Sequence, residues 1–445
     1  MTAPSIVVQT AYAELLELCA AAAFREAFPQ NGTFVSKTVK GRRYWYFQEP
    51  SSQGRAQKYA GPETPELLDK ISRHRGARED EAQRRDLVSA LFRVQRTPRP
   101  SPEIAAIVAA LAKAGVFRLR GVLVGTVAFQ TYAAMLGMPM GGSSVGTEDV
   151  DIAQFRNVSV AVDDKTPPAI DTLRDVDETF RPVPHNVDGR RATRYQAKSG
   201  LRVDFLTPNK GADTSDPQSL PALRTDAEPL RFLDFLIHDP EPAVVLHGAG
   251  TYVLVPSPQR FAVHKLIVSR RRSAGSPKRD KDLRQASVLL IALARNRPFE
   301  LREAFHEAFS RGKAWKHTLV EAMGLLEPYP RDIALKTMGE PRSIIPSIDL
   351  AFGNSPVRYD TERDIVRFTG EDNLGRPVPC AISREALEDH FAADGLSKTE
   401  RVEIFQKNRE DIEALTREKF LRSPITDTEL TLVKTEDVKK IHSHH

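Results

Sequence analysis

The chain has 445 residues, 40% of them hydrophobic and 28% charged, with a formal net charge of +5. These proportions exclude a disordered polymer, and the length exceeds one compact domain. No stretch approaches the roughly 18 apolar residues of a membrane span, and Cys19 and Cys380 lie too far apart for a structural zinc cluster, so the expectation is a reducing cytoplasm and no membrane partner.

Alanine, leucine and phenylalanine recur at helical spacing from residue 1 to about 30. That spacing predicts an amphipathic helix rather than a signal peptide, since no basic segment precedes it and Glu14 and Glu17 interrupt its apolar patch. Residues 33–39, 42–47 and 57–62 read as strands, with a turn at 50–54. Tyr44, Trp45 and Tyr46 either pack a small sheet or stack on bases. Residues 63–95 read as helical and end at a proline-rich linker, 98–102. From Lys37 to Arg99 there are 15 Lys/Arg against 8 Asp/Glu. Such an excess is either a solvated face or a surface for a phosphate-bearing partner.

Ser101 caps an alanine-rich helix that runs to about Ala114 and stops at Gly115. A strand is expected over 117–124, a helix from Thr126 to about Leu136, and a glycine-rich loop over 137–146. The next strand carries Asp149 and Asp151, and 158–162 continues or follows it. Residues 166–180 read as helical, and 193–197 with 201–206 as a hairpin. Beyond a polar loop come a short strand at 253–256 and helices from Pro258, over 278–295 and over 299–325. A linker is expected at 326–345. The end of the chain predicts a hairpin of 364–368 with 377–382, a helix capped by Ser383, a longer helix from near Ser397 and a closing strand within 425–433.

The carboxylates carry the chemistry. Successive strand residues point to opposite faces, so Asp149 and Asp151 share one face while Val150 and Ile152 enter the core. Two carboxylates held that closely repel unless cations sit between them. Magnesium is a hard cation that takes carboxylate and phosphate oxygens, and two such ions can stabilise both the attacking and the leaving oxygen of an in-line displacement. Asp204, in the second hairpin strand, completes the cage and can accept a proton from an attacking hydroxyl. Gly125 and Thr126 open a helix, whose N-terminal N–H groups suit phosphate, and glycine allows close approach. The same residues also fit an ordinary strand-to-helix turn and a solvated strand face.

This arrangement resembles the nucleotidyltransferase superfamily of DNA polymerase beta, tRNA CCA-adding enzymes and antitoxin-type minimal nucleotidyltransferases. The positions that match its pattern are Gly125, Thr126, Asp149, Asp151 and Asp204. Thr126 replaces the usual Gly or Ser but keeps a hydroxyl, and the glycine-rich insertion lengthens the gap to Asp149. The sequence from Lys40 to Tyr46, and Phe261-Ala262-Val263-His264-Lys265-Leu266 followed by basic residues and Lys281-Asp282, resemble a bacterial nucleotidyltransferase-like subgroup over about 35–300. The resemblance implies an α+β fold, a polymerase-beta-like core with a helical domain and a small C-terminal α+β domain. The parts expected are 1–100, 101–245 as the catalytic core, 246–335 as the helical domain and 345–440 as the last module.

The resemblance further implies transfer of a nucleoside monophosphate from a nucleoside triphosphate to an acceptor hydroxyl, with pyrophosphate released. Asp149, Asp151 and Asp204 would be catalytic and would hold two Mg2+ ions. Gly125 and Thr126 would bind the nucleotide. Lys265 is a phosphate contact in related enzymes or else a surface lysine, with Arg270, Arg279 and Lys281 behind it, and Asp282 is expected to pair with a neighbouring base. The acceptor is an RNA end, possibly tRNA, or a protein. The alternative is a catalytically silent binding, toxin–antitoxin or defence module on the same fold. Residues 141–146 are expected to form a flap near the triphosphate. From Asp364 to about Glu436 the chain resembles small bacterial proteins of unknown function. There Cys380 and His390 read as a buried thiol and a helix-surface histidine rather than a nucleophile and base. His442, His444 and His445 read as a tail.

Overall fold

The computed structural model describes residues 5–28, 32–39, 41–48, 57–73, 81–95, 100–140, 147–162, 164–209, 214–273, 276–339, 349–353, 355–372, 377–422 and 430–442. The chain divides into two compact units, residues 1–265 with 284–312, and residues 266–283 with 313–445. It is an α+β protein.

The first unit opens with α1 (Ile6–Ala27), capped by Ser5, whose hydroxyl accepts from the Val8 amide. By length and composition α1 could cross a membrane. One stripe of it, Val8, Tyr12, Leu15, Cys19 and Ala22, is nevertheless buried, the spacing of a helix packed on a core. Antiparallel strands β1 (Thr33–Val39), β2 (Arg42–Gln48) and β3 (Gln57–Pro62) form a separate sheet. Its aromatics pack: Phe47 is fully buried, and Phe24, Phe28, Phe34 and Phe47 lie 4.8–5.6 Å apart between centroids. Tyr46 is buried edge-on against Tyr59, and Trp45 donates to Glu63. Helices α2 (Pro65–Arg73) and α3 (Glu81–Gln95) follow. The expected turn at 50–54 lies outside the described residues.

Next come α4 (Pro102–Lys113), capped by Ser101, β4 (Val122–Val124), α5 (Gly125–Met135) and β5 (Asp149–Ala153). They are followed by α6 (Arg156–Ala161), α7 (Ala169–Arg174), β6 (Arg181–Val183), β7 (Arg194–Gln196), β8 (Arg202–Pro208), β9 (Gln218–Leu220) and β10 (Thr225–Leu230). Their strands make one sheet in the order β4-β5-β8-β10-β9, with β7 sharing the edge of β8 and β6 outside it. Strands β5 and β8 run parallel, while β4 and β7 are antiparallel to their neighbours. Three expectations fail here. Only 122–124 of the expected strand 117–124 is extended, because Gly115 and Arg120 have φ of +95° and +68° and coil the chain before β4. Residues 158–162 do not form a strand but fall mostly within α6, where the Ser159 hydroxyl accepts from the Ala222 amide and Val160 is exposed. The helix expected over 166–180 shrinks to α7.

The unit continues through α8 (Leu233–Leu236) and a two-stranded ribbon, β11 (Glu241–Val245) with β12 (Thr251–Val255). Helices α9 (Pro258–Arg271) and α10 (Pro277–Asn296) match the expected starts, and α11 (Pro298–Ser310) follows. The single helix expected over 299–325 is two, α11 and, already in the second unit with the rest of the chain, α12 (Lys313–Gly324), because Gly312 has φ +122° and cannot continue a helix. The expected linker contains another helix, α13 (Pro328–Met338), ended by Gly339 at φ +72°.

In the second unit, β13 (Leu350–Ala351), β14 (Arg358–Asp360), β15 (Ile365–Asp372), β16 (Pro377–Ser383) and β17 (Thr431–Val433) form one sheet, with β17 parallel to β16. Between β16 and β17 lie α14 (Arg384–Phe391), capped by Ser383, then α15 (Lys398–Lys407), with a Ser397–Glu400 capping box, and α16 (Arg409–Arg422). Helix α17 (Thr435–His442) closes the chain, so His442 ends a helix rather than lying in a tail, and His444 and His445 fall outside the described residues. Val366, Phe368, Cys380, Leu387, Phe405 and Ile412 are part of this module's own core.

Candidate active site

The alternation expected of β5 holds: Val150 and Ile152 are fully buried and Asp149 and Asp151 are half-buried on the other face. Strand β8 repeats it, with Val203 and Phe205 inward and Asp204 outward. The parallel register places Asp151 beside Asp204 and Asp149 beside Arg202. Across the sheet one row reads Arg194, Asp204, Asp151 and Val124, from β7 through β8 and β5 to β4. The three predicted aspartates therefore meet on one face although 53 residues separate Asp151 from Asp204 in sequence.

Gly125 completes that row. It follows Val124 and starts α5 with φ +70°, and a Cβ there would lie 2.2 Å from Oδ2 of Asp151. A side chain is thus excluded both by backbone conformation and by the carboxylate. Helix α5 begins one residue earlier than expected, and Val124 supplies no side-chain cap. The positive end of the helix lies beside the Asp151 carboxylate, a favourable placement for negative charge. Thr126 is buried in the first turn.

Two arginines that the sequence reading left out stand in this site. Arg194 grips Asp204 with both ends of its guanidinium, Nε to Oδ1 at 2.6 Å and Nη2 to Oδ2 at 2.8 Å. Arg202 donates from Nε to Oδ1 of Asp149 at 2.7 Å. The pKa of Arg194 is raised above its ordinary value, chiefly by the bonds to Asp204 and further by the charges of Asp149 and Asp151. Among the described residues no group of three or more His, Cys, Asp and Glu is arranged to hold a metal ion. Asp149 and Asp204 each face an arginine instead.

Lys265 is half-buried on α9, with Nζ 5.3 Å from the Phe261 ring centroid one turn earlier, and Phe261 packs on Phe129 and Tyr132 of α5. The weaker candidates are held in the second unit. Arg270 pairs with Glu321 at 3.1 Å, and Asp282, buried, pairs with Arg272 at 2.6 Å, as a neighbouring base was expected to do. Arg279 is buried and Lys281 half-buried on α10. Residues 141–146, the expected flap, lie outside the described residues. Cys380 is fully buried on β16, and burial pushes its thiol up to about 12, far from a nucleophile's range. His390 is half-buried on α14.

No curated protein and no solved structure matches the chain. Two family models do. Residues 350–429 match a family of proteins of unknown function. Residues 102–310 match a nucleotidyltransferase family, from the first residue of α4 to the last of α11, a span that contains Gly125, all three aspartates and both arginines. The chain is therefore similar to a nucleotidyltransferase family over residues 102–310 and to a second family, of unknown function, over residues 350–429.

Proposed function

We propose that the chain moves a nucleoside monophosphate from a nucleoside triphosphate to an acceptor hydroxyl. The observation that carries this reading is the registered pair Asp151 and Asp204 beside the Gly125 helix start, inside the segment that matches a nucleotidyltransferase family. The first turn of α5 receives the triphosphate on its N–H groups, with the Thr126 hydroxyl and Lys265 as further phosphate contacts. The acceptor oxygen attacks the α-phosphorus, the bond to the bridging oxygen breaks, and pyrophosphate leaves. Asp204 takes the proton of the attacking hydroxyl.

Three carboxylate oxygens on one sheet face suit a hard divalent ion. Two Mg2+ ions held by Asp149, Asp151 and Asp204 would neutralise charge on the triphosphate and the leaving pyrophosphate. Arg194 and Arg202 must first release Asp204 and Asp149, and their guanidinium groups are then available to phosphate oxygens. The acceptor class that fits a basic protein of the cytoplasm is an RNA end, tRNA included, with a protein hydroxyl as the other candidate. Incubation with labelled nucleoside triphosphates, Mg2+ and total RNA or lysate tests the reading. Label should transfer with the wild type and not with Asp149→Ala or Asp151→Ala, and equal transfer by those variants would remove the site assignment.

A second reading is favoured by the arginine pairs themselves, since carboxylates already neutralised by Arg194 and Arg202 need no metal. On that reading the fold is a silent binding or toxin–antitoxin module. Stabilisation by Mg2+ and nucleoside triphosphate that Asp149→Ala abolishes, with no turnover on any acceptor, would support a module that binds without catalysing.

A further inference from the structure

A second concave feature of the first unit lies away from the aspartates. It is a cleft of about 1180 Å3 bounded by the C-terminal half of α1, by β3, by the end of α4 with the turn before β4, by residues 164–167 and by the start of β12. Eight Lys/Arg side chains line it against two acids, Glu26 and Asp164. Asp164 is already committed: it pairs with Arg118 and accepts from the backbone amides of Tyr59 and Lys165. The cleft thus keeps a strong cationic excess. Arg25, Lys113, Arg120 and Lys165 have no carboxylate within 4.0 Å among the described residues.

Arg120 gives a second, independent observation. Its φ of +68° is a left-handed conformation that non-glycine residues rarely adopt. The turn is fixed by hydrogen bonds from Leu119 to Gly115 and from Gly121 to Val116, at 2.9 and 2.8 Å. A Cβ at Gly121 would lie 2.6 Å from Val116. These bonds hold the turn, which presents the exposed Arg120 side chain to the cleft, where its charge is felt by Tyr59 and Tyr252.

The cleft is not the nucleotide's place. Arg120 precedes β4 and Gly125 follows it, so about five residues of chain, on the order of 13–17 Å when extended, separate the two. Its volume exceeds the roughly 300–1,000 Å3 of small-molecule pockets. Its cations without a carboxylate partner come from four separate segments, α1, α4 and two loops, around a large cleft, which suits a row of phosphates rather than a single one.

We propose that this cleft binds the phosphate backbone of a nucleic-acid strand, with Lys113 and Arg120 as the central contacts. The assignment does not depend on the transfer reaction and concerns a surface at the other end of β4 from the aspartates. The test is fluorescence anisotropy of the full chain with a labelled single-stranded RNA and with DNA of the same sequence, over a salt series. Inorganic tripolyphosphate serves as competitor. Wild type should bind at least one strand, and the slope of log affinity against log salt should shrink by about one for each contact removed. Lys113→Gln with Arg120→Gln should weaken binding about tenfold at low salt, whereas Asp149→Asn should still bind. Hydrogen–deuterium exchange of the wild type, which needs no variant to fold, should slow over residues 109–120 on adding RNA. Three outcomes overturn the proposal: no binding of either strand at low salt, affinity unchanged in the double variant with no slowing at 109–120, or tripolyphosphate competing as tightly as the strand itself. The last would mark a site for a compact polyanion instead.

Discussion

At the scale of single residues, Gly125 and Arg194 define the site more sharply than the aspartates between them. Gly125→Ala forces a Cβ to within 2.2 Å of the Asp151 carboxylate at a positive φ. It should cost on the order of 1–3 kcal/mol of stability and abolish nucleotide transfer, read by urea unfolding and by the labelling assay. A normal urea midpoint in that variant would mean that the α5 start is not held as described. Arg194→Ala removes the guanidinium facing Asp204 and leaves three carboxylates with less compensation. With chelator present its melting temperature should fall below that of the wild type, and Mg2+ should raise it by more than in the wild type. An equal Mg2+ response in both proteins would sink the idea that arginine and metal compete for the same oxygens. Arg194 was within reach of the sequence. A hairpin of 193–197 with 201–206 closed over Lys198-Ser199-Gly200 sets residue 194 against residue 204. The Asp151–Asp204 register was not within reach, because parallel pairing across 53 residues leaves no local signal.

Elements were legible where a local rule governs them. Ser101 and Ser383 cap the helices expected of them, a helix starts beside Ser397 as expected, and the alternation in β5 and β8 put the correct faces inward. They were misread where tertiary contacts override propensity. Val158 and Val160 suggest a strand, yet the segment coils into α6, with the Ser159 hydroxyl accepting from the Ala222 amide. The N-terminal sheet depends on a similar polar tie. Asp164 accepts from the Tyr59 amide at 2.9 Å and pairs with Arg118, which also donates to the Tyr59 carbonyl at 2.8 Å. Asp164→Ala leaves a part-buried amide without its acceptor and should cost about 1–3 kcal/mol. The loss should appear as a lower urea midpoint together with faster hydrogen exchange in β3. Unchanged exchange there would show that the sheet is held by its aromatic packing alone.

At the scale of the whole molecule, the C-terminal module gathers its apolar residues, from Leu350 to Val438, into one cluster of its own. That self-sufficiency predicts that a fragment of residues 349–445 folds alone, with cooperative thermal unfolding followed by circular dichroism. A fragment that shows no cooperative transition would make the module a dependent extension of the chain before it. The family match that ends at residue 310 and the second that begins at 350 divide the sequence in the same sense.

The parallel pairing of β5 with β8 has a consequence for how the protein comes to exist. Helices α4 and α5 can form from near neighbours, but the row from Gly125 to Arg194 needs the chain to travel through α6, α7, β6 and β7 before β8 can dock on β5. Closing a loop of that length sacrifices chain entropy before any pairing repays it. The row of aspartates is therefore expected to form late, after the local helices, as the chain folds. A nascent or partly unfolded molecule can hold α4 and α5 but not the row of carboxylates until β8 docks on β5.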